Sequence, residues 1–444
     1  MPEPGLRLKK MTVGKELAVS RICLVIAALL AVQAQAQSVG TQAASPVAGD
    51  DGIALSDDGR SRLHLGITAG AGFDTNPYTT PQELNQFTGD VVVRIRPYLD
   101  VSVPGSSLAF SGKAQLDYGF LPGVVTPDTQ SFLLYQTLLG VDLELNRGGA
   151  FSFAVGDSVS WNTDPGVTVV GSLLSRVRNR MQAGAGYRPG NGILSTRLQY
   201  TFDFTKFVDV QGNGGPVTDG VLDTMTHSLR LRGDYRFLPK TGVFAALVGG
   251  WQSYPFDSTQ PSAFPVSVNV GLQGNILPKL AFLLSAGYSN PLVFDGSGLV
   301  TGNIVGAVGQ AEIQWALSPV TRLSGGFRRT FDPIALYQFV GNNRAYGRFA
   351  QTLGQLEFNL NAGYSALEFG EEQSGPVPLT DRQTGRFDHA IDGSIGVDFY
   401  VFRWLSFGVR NSIDWRITNA RIASSSLGLD YVRNETLVVA NARY

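Results

Sequence analysis

The feature that most constrains this chain is an alternation of period two. It begins at Leu63 and returns, with interruptions, up to the last residue. Leu63, Leu65, Ile67, Ala69, Ala71 and Phe73 alternate with His64, Gly66, Thr68, Gly70, Gly72 and Asp74. Successive side chains of a strand point to opposite faces, so this segment reads as a strand with apolar surroundings on one face and polar ones on the other.

The pattern recurs. Val91, Val93, Ile95, Leu99, Val101 and Val103 alternate with Arg94, Arg96, Asp100 and Ser102. Leu108, Phe110, Ala114, Leu116, Tyr118 and Phe120 alternate with Ser111, Lys113, Gln115 and Asp117. Further stretches fall near 133–145, 151–162, 176–188, 193–204, 225–237, 243–254, 266–276 and 280–289. The rest fall near 304–317, 321–331, 345–358, 362–370, 387–399, 405–416 and 434–444. This gives 18 candidate strands, most of a length that crosses a bilayer when tilted. The phase is mixed in 243–254, and 345–370 is hard to divide.

The connections alternate as well. Pro104-Gly105, Gly148-Gly149, Pro189-Gly190, Pro239-Lys240-Thr241-Gly242, Pro278-Lys279 and Ser318-Pro319 are short turns after even-numbered candidates. Odd-numbered ones lead into longer polar stretches such as Thr205–Asp223 and Glu371–Arg386. Outer-membrane barrels have this asymmetry and an even strand number. The predicted class is therefore all-β: a transmembrane antiparallel β-barrel of about 18 strands, with short periplasmic turns and long outer loops. A set of soluble sandwiches would need linkers, and none follows residue 60. A propeller would show a motif recurring every ~40–50 residues, and none is present.

The N-terminus reads as an address. Arg7, Lys9, Lys10, Lys15 and Arg21 precede the apolar run Ile22–Val32, and Ala34 and Ala36 supply the small residues of a cleavage site. A run of that length is too short for a membrane helix and fits a secretory signal. The expected organisation is a signal peptide at 1–36, a flexible periplasmic lead-in at 37–60 and the barrel at 61–444.

Composition agrees with this reading. Charged residues make up 16% of the chain, against about 25% in soluble domains. The near-neutral formal charge of -1 disfavours nucleic acid as a partner. Removing residues 1–36 leaves 30 basic and 34 acidic residues and no cysteine, so no disulfide framework is available. Of those basic residues only Lys113, Lys206, Lys240 and Lys279 are lysines.

In a barrel of this kind one parity faces lipid and the other the lumen. Charges mostly fall on the lumen parity, with Asp157 and Arg329 as exceptions. Arg176, Arg178, Arg180 and Arg188 on the sixth candidate strand, Arg197 on the seventh, and Arg230, Arg232 and Arg236 on the eighth form a basic wall. Arg94 and Arg96 extend its field, and Asp234 is placed to neutralise part of it. Acidic residues gather elsewhere, at Asp142, Glu144, Asp388, Asp392, Asp398 and Asp414. Arginine holds carboxylates and phosphates through a planar fork that stays charged, so a row of such sites suits the passage of anions in weak steps. The same residues also suit a generic charged lining that hydrates the lumen. Phe73-Asp74-Thr75-Asn76-Pro77-Tyr78 reads as a plain turn rather than a metal site. His64, His227 and His389 are the only histidines; His227 and His389 share the apolar parity. No catalytic constellation, metal or cofactor is expected, and the chain is not expected to be an enzyme.

The chain ends at Tyr444, preceded on the same face by Thr436, Val438, Ala440 and Ala442. A last strand closing on an aromatic residue resembles the signal read by the barrel assembly machinery. The leader, the short lead-in, the Phe73–Tyr78 segment and the strand count together resemble the outer-membrane β-barrel porin families of Gram-negative bacteria. Within that group residues 61–444 are similar in architecture to the stand-alone exopolysaccharide-export barrels of myxobacterial type and, more distantly, to the alginate-export barrel. The resemblance implies a passive outer-membrane channel for a secreted polysaccharide, embedded in outer-membrane lipid. With no attached helical-repeat domain, it also implies a separate periplasmic export protein as partner. Uptake of small anionic solutes through the same arginines, or a structural or adhesive barrel acting through its outer loops, are the alternatives.

Overall fold

A computed structural model describes residues 53–55, 61–77, 82, 89–121, 132–162, 174–190, 192–209, 223–256, 262–295, 298–300, 306–334, 337–370, 385–419 and 430–444. Its long strands are β1 (Arg62–Asp74), β2 (Asp90–Pro104), β3 (Leu108–Phe120), β4 (Phe132–Leu145), β5 (Phe151–Asn162) and β6 (Leu174–Tyr187). There follow β7 (Leu194–Asp209), β8 (Thr224–Leu238), β9 (Thr241–Ser253), β10 (Val266–Leu277), β11 (Leu280–Asn290) and β12 (Gly306–Ser318). The last six are β13 (Thr321–Ile334), β14 (Tyr337–Leu353), β15 (Leu356–Phe369), β16 (Phe387–Phe402), β17 (Leu405–Thr418) and β18 (Tyr431–Arg443).

Each strand pairs antiparallel with the next, and β18 returns to β1 through Gly66↔Arg443 to Asp74↔Glu435. Tyr444 and Leu65 complete this seam by exchanging two backbone hydrogen bonds, of 2.9 and 2.7 Å. The sheet is therefore closed, which removes the unpaired edges that an open sheet would expose. Both β1 and β18 have their terminal ends at the short-turn end of the barrel.

The alternation has the consequence read from the sequence. Ile67, Phe73, Val93, Ile95, Phe153, Val155, Leu229, Leu231, Ile395 and Val409 lie on the outer surface and are exposed. In a soluble protein so wide an apolar exterior would be untenable; facing lipid it is required. Polar residues of the opposite parity face inward.

Three details differ from the sequence reading. The stretch 345–358 runs through a turn: β14 ends at Leu353, and Gly354 turns the chain with a left-handed φ of 61°. That turn has one glycine and no proline, so little marked it. Within the lead-in, Ile53–Ala54 pairs with Arg62 and Leu63, so at least that part is held against the barrel. In β9 the outward residues are Val243, Leu247 and Trp251, while Phe244 and Ala246 are buried on the inner face. This inner apolar pair is the source of the mixed phase.

An irregularity also shapes the inner wall. Between β3 and β4 the register jumps from Asp117↔Gln136 to Tyr118↔Leu134, leaving Tyr135 as the extra residue of a bulge. Bulges re-aim side chains, and Tyr135 joins an inward apolar cluster with Val92, Leu121, Leu437 and Val439. The ring lies over Gly119, where any Cβ would overlap it.

Candidate functional site

The register shows where the residues of the expected basic wall stand. β6 runs from the long-connection end to the short-turn end, so Arg176, Arg178 and Arg180 occupy its upper half. β7 sets Asp203 opposite Arg180 and Arg197 opposite Gly186. β8 then sets Arg232 opposite Arg197, and Arg230 opposite Gln199. Arg236, opposite Gly242, lies at the short-turn end. Seven of the eight residues thus form a column descending the wall rather than a patch. Arg188 is a correction: β6 ends at Tyr187, and Arg188 sits in the turn, where its N–H donates to the Ala150 carbonyl at 2.7 Å.

Carboxylates cancel part of this column. Asp203 accepts from Arg178 at 2.5 Å and from Arg180 at 2.8 Å. Asp234 holds Arg232 at 2.7 Å, as its position in the sequence suggested. Arg232 also donates to Gln273 at 3.0 Å and lies 4.0 Å above the Phe244 ring. Arg197 and Arg230, by contrast, have no carboxylate in ion-pair contact among the described residues. Arg230 lies within electrostatic reach of Arg197, Arg232 and Asp234 together.

A second wall was missed. Arg328 on β13 pairs directly with Arg344 on β14. Arg344 is held by Asp392 at 2.7 Å, whereas Arg328 has no ion pair among the described residues. Beside them Glu312 accepts from Tyr346 at 2.6 Å and from Gln314 at 2.7 Å. Parity alone places Arg328 and Arg344 inward, but the poorly divided stretch 345–370 hid the pairing.

Arg94 and Arg96 do not extend the field, contrary to the sequence reading. Arg94 bridges Asp117 at 2.6 Å and Glu435 at 2.7 Å, and Arg96 reaches Asp117 at 2.5 Å. Arg433 bonds Asp74 at 2.9 Å and Glu435 at 3.4 Å. Arg94 and Arg433 stack over the Tyr135 ring at 4.2 and 5.9 Å. Three arginines and three carboxylates thus neutralise one another around the seam. The Asn76 N–H donates to Asp74 at 3.0 Å, the turn expected there. Asp388 is likewise locked, by Arg386 at 2.7 Å and by Arg416 and Thr418.

Asp157 is outward-facing as expected and accepts from Asn179 at 2.8 Å. His227 and His389 each meet a tyrosine hydroxyl, of Tyr200 at 2.7 Å and Tyr364 at 2.6 Å. Among the described residues no group of three or more His, Cys, Asp or Glu is arranged for a metal ion. Ala34 and Ala36 lie outside the described residues. Tyr444 is exposed at the seam.

A protein family described as "Putative beta-barrel porin 2" matches residues 59–432. The chain belongs to this porin family. Its barrel is an outer-membrane barrel. No curated protein matches it. Among solved structures it is similar to the outer membrane protein opdK from Pseudomonas aeruginosa, at 10% identity and a TM-score of 0.44, with 86% of this chain and 99% of that chain covered. Acinetobacter baumannii OccAB3 matches at 11% identity and 0.44, covering 86% and 99%. The FrpB iron transporter from Neisseria meningitidis matches at 8% and 0.43, covering 86% and 81%.

Proposed function

We propose that this porin is a passive channel for small anionic solutes, with the two arginine walls as its selectivity element. One observation carries the reading: arginine faces arginine directly across a strand pair twice, at Arg197↔Arg232 and Arg328↔Arg344. Like charges placed opposite each other cost stability, so folding alone gives no reason for them. In each pair one member is held by an aspartate and the other is left to the water of the lumen. A positive lumen raises the local concentration of anions, and weak successive sites let them leave. In this reading the short-turn end faces the periplasm, the leader is removed after Ala36, and Tyr444 presents the last strand to the assembly machinery.

Export of an acidic polysaccharide is the second reading, favoured by the strand number, since 18 strands enclose room for an aqueous channel. It needs a separate periplasmic partner to deliver the polymer. The two face-to-face arginine pairs favour the smaller anion. Reversal potentials in planar bilayers decide between charge selection and a neutral pore. Wild type passes chloride in preference to potassium, and R197Q/R328Q loses most of that preference. An unchanged ratio in the variant rejects the proposal. Retained selectivity for chloride with free passage of a long acidic glycan returns the reading to export.

A further inference from the structure

Across the lumen from the arginine column lies a cavity of about 380 Å³ that the anion path leaves unused. This is within the range of small-ligand sites, roughly 300–1,000 Å³. Six strands build it, with the β18–β1 seam near its middle. Asn359 and Asn361 come from β15, Ser394 and Asp398 from β16, Arg410 and Ser412 from β17, and Thr68 from β1. Leu437 and Val439 lie beneath it, packed in the cluster around Tyr135 and only 8% and 2% exposed.

The charged groups of this lining are paired, Arg96 with a carboxylate beside the lining rather than in it. Arg410 lies 3.7 Å from Asp398. Arg94 is held by Glu435 at 2.7 Å and Arg96 by Asp117 at 2.5 Å. A simple anion or cation therefore meets no charged group here that lacks an ion-pair partner. Its hydrogen-bonding groups are numerous and fixed by their neighbours. Asn361 donates to Ser394 at 3.1 Å, Asn359 to Glu357 at 3.1 Å, and Asn441 to Asp398 at 2.9 Å. Thr68 donates to Asn441 at 2.8 Å. Amide, guanidinium and carboxylate groups are planar forks that span two adjacent donors or acceptors.

We infer that this cavity is a subsite for a neutral polyhydroxylated solute, a sugar unit whose vicinal hydroxyls meet Asn359, Asn361 and Arg410. The argument is one of matching. A charged ligand gains nothing where every charge is already paired. An apolar ligand would strand the asparagine and serine groups without partners. A sugar ring presents adjacent hydroxyls that both donate and accept, which this lining can meet. The inference deepens the proposed channel by giving it a second kind of contact, and it rests on that channel being open to solutes.

The test uses the purified full-length protein, with a neutral trisaccharide of glucose as probe. In planar bilayers the trisaccharide reduces the current in a saturable way. N359A/N361A weakens that block by at least about tenfold, the worth of lost hydrogen bonds to a site, and leaves the chloride-to-potassium ratio unchanged. R197Q/R328Q does the reverse, losing selectivity and keeping the block. Absence of block in a wild-type channel that remains anion-selective overturns the subsite alone. So does a block that survives N359A/N361A. Calorimetry of the same sugar on the detergent-solubilised protein separates the two ideas. A silent channel with saturable, N359A/N361A-sensitive heat keeps the subsite and rejects the open porin. No heat with wild type rejects the subsite even if the variant fails to fold.

Discussion

Two stretches of the same inner wall carry many arginines and use them in opposite ways. Around the seam, from β16 to β3, arginines meet carboxylates: Arg94 and Arg96 at Asp117, Arg433 at Asp74 and Glu435, Arg386 and Arg416 at Asp388. Asp74 and Asp388 are wholly buried there, and Arg416 is 2% exposed. Along β6–β8 and β13–β14 the ratio fails. Arg197, Arg230 and Arg328 carry no ion pair among the described residues, and two arginine pairs sit face to face. Residue type is thus a poor guide to role in this lumen; the count of carboxylates in register is the better one. In the proposed channel, paired and buried arginine braces the barrel, whereas arginine without an ion pair sets its field.

The largest effect that would test this contrast is on the bracing side. Asp388→Asn leaves Arg386 and Arg416 without their shared carboxylate in a buried site. Removing one partner of a buried ion pair costs about 3–5 kcal/mol. Urea unfolding of the barrel in lipid vesicles should show a loss of that order, with the chloride-to-potassium ratio of the surviving channels unaltered. A large change in selectivity with little change in stability would show that the seam also belongs to the field.

Much of this was legible beforehand. Strand number, closure and the inward parity of Arg176, Arg178, Arg180, Arg197, Arg230, Arg232 and Arg236 follow from alternation and turn residues, because two solvents impose that pattern on the chain. What alternation cannot supply is who stands beside whom. Asp203 shares the inward parity of Arg197, and once the turn after Tyr187 is placed the register sets it opposite Arg180; the information was present but needed the turn. The Arg94–Glu435 pair spans 341 positions and exists only because the last strand closes on the first. Tyr135 depends on a bulge that no residue in its neighbourhood announces. Arg328 and Arg344 were hidden by a turn with a single glycine.

A middle-sized effect belongs to Asp203. It holds two arginines of the column at once, with a side chain 12% exposed. Asp203→Asn keeps the shape and hydrogen-bonding capacity of the side chain while removing its charge. Arg178 and Arg180 then lose the carboxylate charge they share, and the column gains net positive charge. The measured chloride-to-potassium permeability ratio should rise above that of wild type. The gain should be largest in dilute salt, since screening shortens the reach of the added charge. A fall in the ratio would mean that the arginines need Asp203 to hold them in the path.

The smallest effect is the sharpest control, because it removes the same residue type from the other side. Arg96 is a third exposed, and its partner Asp117 is also held by Arg94 at 2.6 Å. Arg96→Gln therefore leaves the buried Asp117 still paired, and the loss stays below the roughly 3–5 kcal/mol of breaking a buried pair outright. If pairing decides role, the variant should show wild-type selectivity and a stability loss within that limit. The lumen loses one formal positive charge, as it does for each arginine replaced in R197Q/R328Q, so total charge cannot explain a difference between them. If Arg96→Gln lowered anion preference as much per residue as those replacements do, the lumen would respond to overall charge alone. The distinction between braced and free arginines would then carry no functional meaning.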